Sequence, residues 1–206
     1  MKICILGDGL VSLTLAKVLI QKDLSVDIVS SGEFKKYSQT RTLGISKSNI
    51  EYFNKNIVNI KKILWEINNI KIFTENFSNN EILNFSNKKE QVFSIIKNYQ
   101  LYQILIKDLK KNKNINFKKN NSCQNIQKEN YKLIINCDPN HKITKKNFSN
   151  RIEKKYNSYA YTTVINHSKT IKNNTAIQIF TKNGPIAFLP ISNTKTSVVY
   201  SHRVKN

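Results

Sequence analysis

The sequence predicts an α/β chain in which a parallel βαβ unit at the amino terminus is joined to a separate antiparallel sheet. Three observations predict it. Residues Met1 to Ser30 read as strand, glycine turn, helix and strand. Lys132 to Asp138 is an apolar strand ending in an acid, of the kind that returns to a parallel sheet. From Tyr159 onward the residues alternate in period two between short polar turns. These patterns divide the chain into a nucleotide-binding portion, 1–68 and 97–158, and a sheet portion, 69–96 and 159–206.

In the first unit, Lys2-Ile3-Cys4-Ile5-Leu6 is a buried-type strand. Gly7-Asp8-Gly9-Leu10-Val11-Ser12 is a tight turn leading into a helix over Leu13 to Gln21. Leu24 to Val29 is the second strand. A glycine turn in that frame points to dinucleotide binding. Gly7 lets the chain turn sharply, and Gly9, without a Cβ, admits a pyrophosphate close to the backbone. The helix then offers unpaired N–H groups and the positive end of its dipole to that anion. Ser12 stands where the pattern has a third glycine. Ser30 stands where an acid binds the ribose, and its hydroxyl is a weaker partner than a carboxylate. The same βαβ turn also occurs in doubly wound folds that bind no nucleotide.

A polar loop, Ser31 to Thr40, ends in Arg41-Thr42-Leu43-Gly44-Ile45-Ser46. Arg41 is either a pyrophosphate ligand, its guanidinium forking onto phosphate oxygens, or a surface arginine. Ser46 suits a helix N-cap, with Ile50 and Phe53 on one face. Apolar residues at 57, 60, 63, 64 and 67 follow a helical period around Trp65, and read as core. Ile70–Phe73, Ile82–Phe85 and Val92–Ile95 read as three successive strands of one antiparallel sheet. Asn98 opens and caps an amphipathic helix through Leu101, Ile104, Leu105 and Leu109. A strand over Asn114–Phe117 follows. Asp138, at the carboxyl end of the returning strand, is either placed for a ligand or a former of the turn Asp138-Pro139-Asn140-His141. Tyr159–Ile165, Ala176–Thr181, Ile186–Ile191 and Thr196–Ser201 form a four-stranded meander, with a tight turn at Asn183-Gly184-Pro185 and Pro190 closing a strand.

The 206 residues carry a formal net charge of +21, but in scattered lysines such as Lys61-Lys62, Lys110-Lys111 and Lys118-Lys119. There is no arginine-rich block and no basic run interleaved with aromatics. This disfavours nucleic acid and leaves a solvated basic surface, with attraction to anionic lipid open. Cys4, Cys123 and Cys137 have no CxxC spacing, and His141, His167 and His202 are isolated, so thiols in a reducing compartment and no metal site are expected. No apolar run reaches membrane-spanning length and the chain opens on a strand, so a cytoplasmic protein without a signal peptide is expected.

Two stretches resemble one family. Phe180 to Ile191 with Ser197-Val198-Val199-Tyr200 is similar to the mid-chain signature of the flavin-dependent aromatic hydroxylases of ubiquinone biosynthesis. Gly7 to Leu13 with Ala16 resembles their FAD fingerprint, Arg41 to Ser46 their arginine segment, and Cys137-Asp138-Pro139 their Ala-Asp-Gly turn. The resemblance implies FAD around Gly7, Gly9, Leu10 and Ser12, with Ser30 at the ribose, Arg41 and Asp138 nearby, and Asn98 opening the helix beside FAD. It implies Gly184 and Pro185 on the substrate side, facing the flavin. It further implies NAD(P)H as reductant, O2, and hydroxylation of an aromatic ring on a polyprenylated substrate. Work at the inner face of a membrane, in association with other ubiquinone-biosynthesis proteins, belongs to the same expectation. No residue is marked as the catalytic base. Ser12, Ser30, Pro139, Lys142 and Lys145 depart from the pattern, and the later Gly-Asp motif does not occur by Asn206, so a truncated hydroxylase is expected. Two other readings stand beside this one. One is a non-catalytic Rossmann-type nucleotide module; the other is a basic protein of nucleic acid or membrane surfaces, whose binding would fall steeply with salt.

Overall fold

The computed structural model describes residues 1–30, 38–75, 81–86, 91–119, 130–147, 152, 154 and 156–203. Cys123 and positions 31–37 of the expected polar loop lie outside them. The chain forms two compact units, Met1–Lys36 with Lys55–Val58 and Leu101–Glu153, and Tyr37–Asn54 with Asn59–Gln100 and Lys154–Asn206.

The first unit is built on β1 (Lys2–Leu6), α1 (Leu10–Ile20) and β2 (Ser25–Ser30). With β8 (Ile115–Lys119) and β9 (Leu133–Asn136) they make a parallel sheet of order β8-β2-β1-β9. β1 is interior, and Ile3, Cys4, Ile5 and Leu6 are all buried, which is why this strand reads as an unbroken apolar run. α1 buries Ser12, Leu13, Ala16 and Ile20, one face of a helix. The later turns of α3 (Asn98–Leu109) bury Leu101, Leu105 and Leu109 at four-residue spacing. Lys17 of α1 forms an ion pair with Asp108 of α3.

A buried acid braces this sheet. Asp27 is fully buried in β2 and accepts from Tyr131 Oη at 2.6 Å and Asn116 Nδ2 at 3.0 Å. It also pairs with Lys118 at 2.9 Å and Lys2 at 3.1 Å. Burial alone would raise its pKa; the bonds from Tyr131, Lys118, Asn116 and Lys2 outweigh burial and bring it down to about 2. Periodicity gives no hint of this charge in an apolar strand.

The second unit holds a six-stranded sheet of order β10-β13-β12-β11-β5-β6 and a three-stranded sheet β3-β7-β4. The strands are β3 (Thr42–Ile45), β4 (Leu64–Ile67), β5 (Asn69–Thr74), β6 (Glu81–Ser86) and β7 (Phe93–Lys97), then β10 (Ser158–Asn166), β11 (Thr175–Thr181), β12 (Gly184–Ser192) and β13 (Lys195–Arg203). Ile67 and Ile95 of the small sheet pack with Ala176 and Ile191 of the large one, flanked by Trp65, Ile70, Phe93, Val164 and Leu189. Each such isoleucine contributes about 1.5–3 kcal/mol by leaving water. α2 (Lys47–Asn56) starts as expected: Ser46 Oγ accepts from the Asn49 N–H at 3.3 Å.

Several expectations are corrected here. The helix expected over 57–67 is a 3-10 turn, Lys61–Ile63, followed by β4. The isoleucines there also suit a strand, and pairing with β7 decides the matter. Residues 42–45 form β3, because β7 pairs along them too. β7 therefore leaves the expected three-strand succession, while β5 pairs antiparallel with β6 and parallel with β11. Positions 37–54, 59–68, 97–100 and 154–158 fall in the second unit, so the two units divide the chain differently from the sequence division. Only β11-β12-β13 is a meander; β10 joins beyond β13. Pro190 does not close its strand: β12 continues to Ser192 through a register shift between Pro190 and Ser192, an irregularity that tolerates a missing N–H. A short helix, α4 (Lys142–Asn147), has no counterpart in the sequence reading.

Candidate functional site

The candidate site in the first unit gathers where β1, β2 and β9 end. Gly7 has φ +104°, a conformation side chains rarely adopt, and its N–H donates to Val29 O at 2.9 Å. A Cβ there would stand 3.3 Å from both Asp138 Cβ and Ser12 Oγ, so the turn, the first coil of α1 and the end of β9 converge on this glycine. Cys137 N–H donates to Leu6 O at 2.9 Å, fixing the β9 side.

Gly9 is the N-cap of α1, extended at φ −75° and ψ 175°, and its O accepts the Leu13 N–H at 3.0 Å. No side chain among the described residues caps the helix, and its first turn holds no acid. The N–H groups of Leu10, Val11 and Ser12 precede the first intrahelical donor, and Val11 is 70% exposed. Ser12, in place of the third glycine, is fully buried with its Oγ lacking a hydrogen-bond partner. An uncapped helix start, a glycine a Cβ would crowd, and an orphaned hydroxyl together suit an incoming phosphate group.

Ser30 ends β2, and its Oγ donates to Asp8 Oδ2 at 3.0 Å. Sequence reading overlooks Asp8, because an acid within a glycine turn looks like a turn former. Asp138 is occupied by its own turn. Its Oδ1 accepts from Asn140 N–H at 3.0 Å and its O accepts from His141 N–H at 3.1 Å. One carboxylate oxygen thus serves the turn, and its Cβ packs at the turn of Gly7.

The other expected site residues belong to the second unit. Arg41 is exposed, and no acid pairs with it among the described residues. Its O accepts the Asn98 N–H at 3.0 Å. Asn98 is the first residue of α3 but does not cap it. The residue is buried and its Oδ1 lacks a hydrogen-bond partner, so it bonds to no amide of the first turn. Gly184 has φ +131°, and a Cβ there would lie 1.9 Å from Ser201 O. Crowding by β13 thus accounts for this glycine without any ligand. Pro185 pairs with Phe180 in the β11–β12 hairpin. In the same unit Thr40, Lys97, Tyr99 and Lys195 line a cleft of about 270 Å³. Burial, then the charge of Lys195, pulls the Lys97 ammonium below the usual lysine range.

No protein family and no curated protein matches the chain. Solved structures do. PqsL from Pseudomonas aeruginosa, named a probable FAD-dependent monooxygenase, superposes with a TM-score of 0.73 at 9% identity, over 98% of this chain and 60% of its own. CtdE, solved with FAD and a substrate, gives 0.76 at 13% identity over 100% and 58%. A single-residue variant of HpxO from Klebsiella pneumoniae, complexed with FAD, gives 0.74 at 11% over 100% and 58%. The fold is therefore the one these proteins share, and the chain spans about three fifths of their length.

Proposed function

We propose that this chain binds FAD and serves the FAD-dependent hydroxylation of an aromatic ring. One observation carries the reading: α1 begins at a glycine turn with φ +104° at Gly7, and no side chain among the described residues caps its first amides. The shared fold with FAD-complexed structures supports it. Bound FAD would supply the redox and oxygen chemistry. The chain's own residues have other tasks. Gly7 makes the tight turn, Gly9 keeps side-chain bulk away from the diphosphate, the amides of Leu10 to Ser12 donate to it, and Ser12 Oγ gains a partner. By the motif resemblance alone, Arg41 and Asn98 are further assigned to the cofactor, and Gly184 and Pro185 to the substrate side. In this proposal the substrate is the polyprenylated aromatic precursor of ubiquinone that the motif resemblance implies, with NAD(P)H as reductant. The basic surface supports work at an anionic membrane face; no helix among the described residues is long and apolar enough to cross a membrane.

Titration calorimetry of the purified chain with FAD tests the proposal. Binding is expected, and Gly9→Val weakens it about tenfold or more, the scale of losing one charge-assisted hydrogen bond. No heat with FAD, or equal affinity in the variant, counts against it. The same titration with ATP and NADH addresses the nucleotide-module reading, which the self-contained turn in the first unit favours. Tighter binding of either than of FAD would support it.

A further inference from the structure

We propose that Asp8, carried in the glycine turn, supplies the carboxylate that holds the adenosine ribose, in place of the acid absent from the end of β2. The inference rests on the FAD reading and names a residue which that reading lacks. In dinucleotide-binding βαβ units a strand-end acid accepts from the ribose hydroxyls. Here that position is Ser30, and its hydroxyl has one proton, which it gives to Asp8 Oδ2 at 3.0 Å. A carboxylate therefore stands at the end of β2 after all, delivered from the neighbouring loop.

The state of Asp8 supports a missing donor. Asp8 is 8% exposed and Ser30 2%. An ionised carboxylate has about four acceptor positions. Among the described residues Ser30 is the one side chain seen to fill any of them, and no lysine or arginine pairs with Asp8. Burying a carboxylate with one neutral donor is costly. Two ribose hydroxyls would supply the donors it lacks. Asp27, also buried in this unit, shows the contrast: it has two cations and two neutral donors. The bond to Ser30 also turns the Asp8 carboxylate toward β2, so its charge is held at the sugar side of the turn. The same negative charge disfavours a phosphate on the 2′-oxygen, so the site selects a free ribose.

The test is titration calorimetry of the full chain with ADP, 2′-deoxy-ADP, 3′-deoxy-ADP and 2′-phosphorylated ADP, with FAD alongside. ADP is expected to bind at least tenfold more tightly than one of the deoxy compounds and than the 2′-phosphorylated one. Asp8→Asn, nearly isosteric, abolishes that preference. Ser30→Ala weakens ADP less and keeps the preference. The wild-type comparison needs no variant, so a folding defect in Asp8→Asn leaves the test intact. Binding of FAD and ADP without any discrimination against the deoxy compounds overturns the role of Asp8 alone. Absence of binding by FAD and ADP overturns the FAD reading and this inference with it.

Discussion

Gly184→Ala lowers the stability of the second unit by about 2–5 kcal/mol, combining overpacking and backbone strain. The added Cβ would lie 1.9 Å from Ser201 O, at a φ of +131°. Backbone atoms cannot swing aside as a flexible side chain does, so the strands must part where β12 starts and β13 ends. Thr181 Oγ1 donates to Gly184 O at 2.6 Å, and Asn183 O accepts from Arg203 N–H at 3.1 Å, which closes the hairpin end against relaxation. Trp65 reports the loss. It is the only tryptophan, lies in the same unit, and donates its indole N–H to Asn173 O at 2.6 Å. Denaturant unfolding followed by its fluorescence should show the midpoint falling well below wild type. A change under about 0.5 kcal/mol, the level of an ordinary surface substitution, would contradict the geometry.

Asp27→Asn removes the acid that braces the parallel sheet, and costs about 2 kcal/mol at neutral pH. Its folded pKa is about 2 against an ordinary 3.8. The sign follows from that direction. A depressed acid stabilises the fold fully above 3.8, and the contribution is lost as pH falls through about 2. Wild type should therefore lose this stability between about pH 4 and pH 2, while the Asn variant shows no such step and converges on wild type at the acid end. Amide exchange in β1, β2 and β8 measures it across that range. A variant as stable as wild type at pH 7 would show that the four bonds to Asp27 merely offset its burial.

The βαβ unit was legible because each of its signals is local: a buried apolar run, two glycines, and a helix whose buried face repeats along Leu13, Ala16 and Ile20. The return of β9 beside β1 is equally readable from its apolar run Leu133-Ile134-Ile135, although β9 is the edge strand and Leu133 and Ile134 stay exposed. What was not legible depends on partners far along the chain. Isoleucines at 57, 60, 63 and 67 fit helix and strand alike, and only β7, some thirty residues on, makes 64–67 a strand. The parallel pairing of β5 with β11 joins positions about a hundred residues apart, which no periodicity encodes. At the candidate site, the pattern singles out Gly7, Gly9 and Ser12 as residues of the turn into α1. Asp8 was missed because its relevance lies in a 3.0 Å contact with the strand end. Asn98 was placed correctly at the start of α3, but its side chain turns out orphaned where capping was expected.

Amide chemical shifts test the cofactor site most directly. A 15N-labelled chain titrated with FAD, and separately with ADP, should show its largest shifts at Gly7 to Leu13, with the N–H groups of Leu10, Val11 and Ser12 moving downfield as they donate to phosphate. Shifts confined to other segments, or none at saturating FAD, would contradict a diphosphate seated on the first turn of α1.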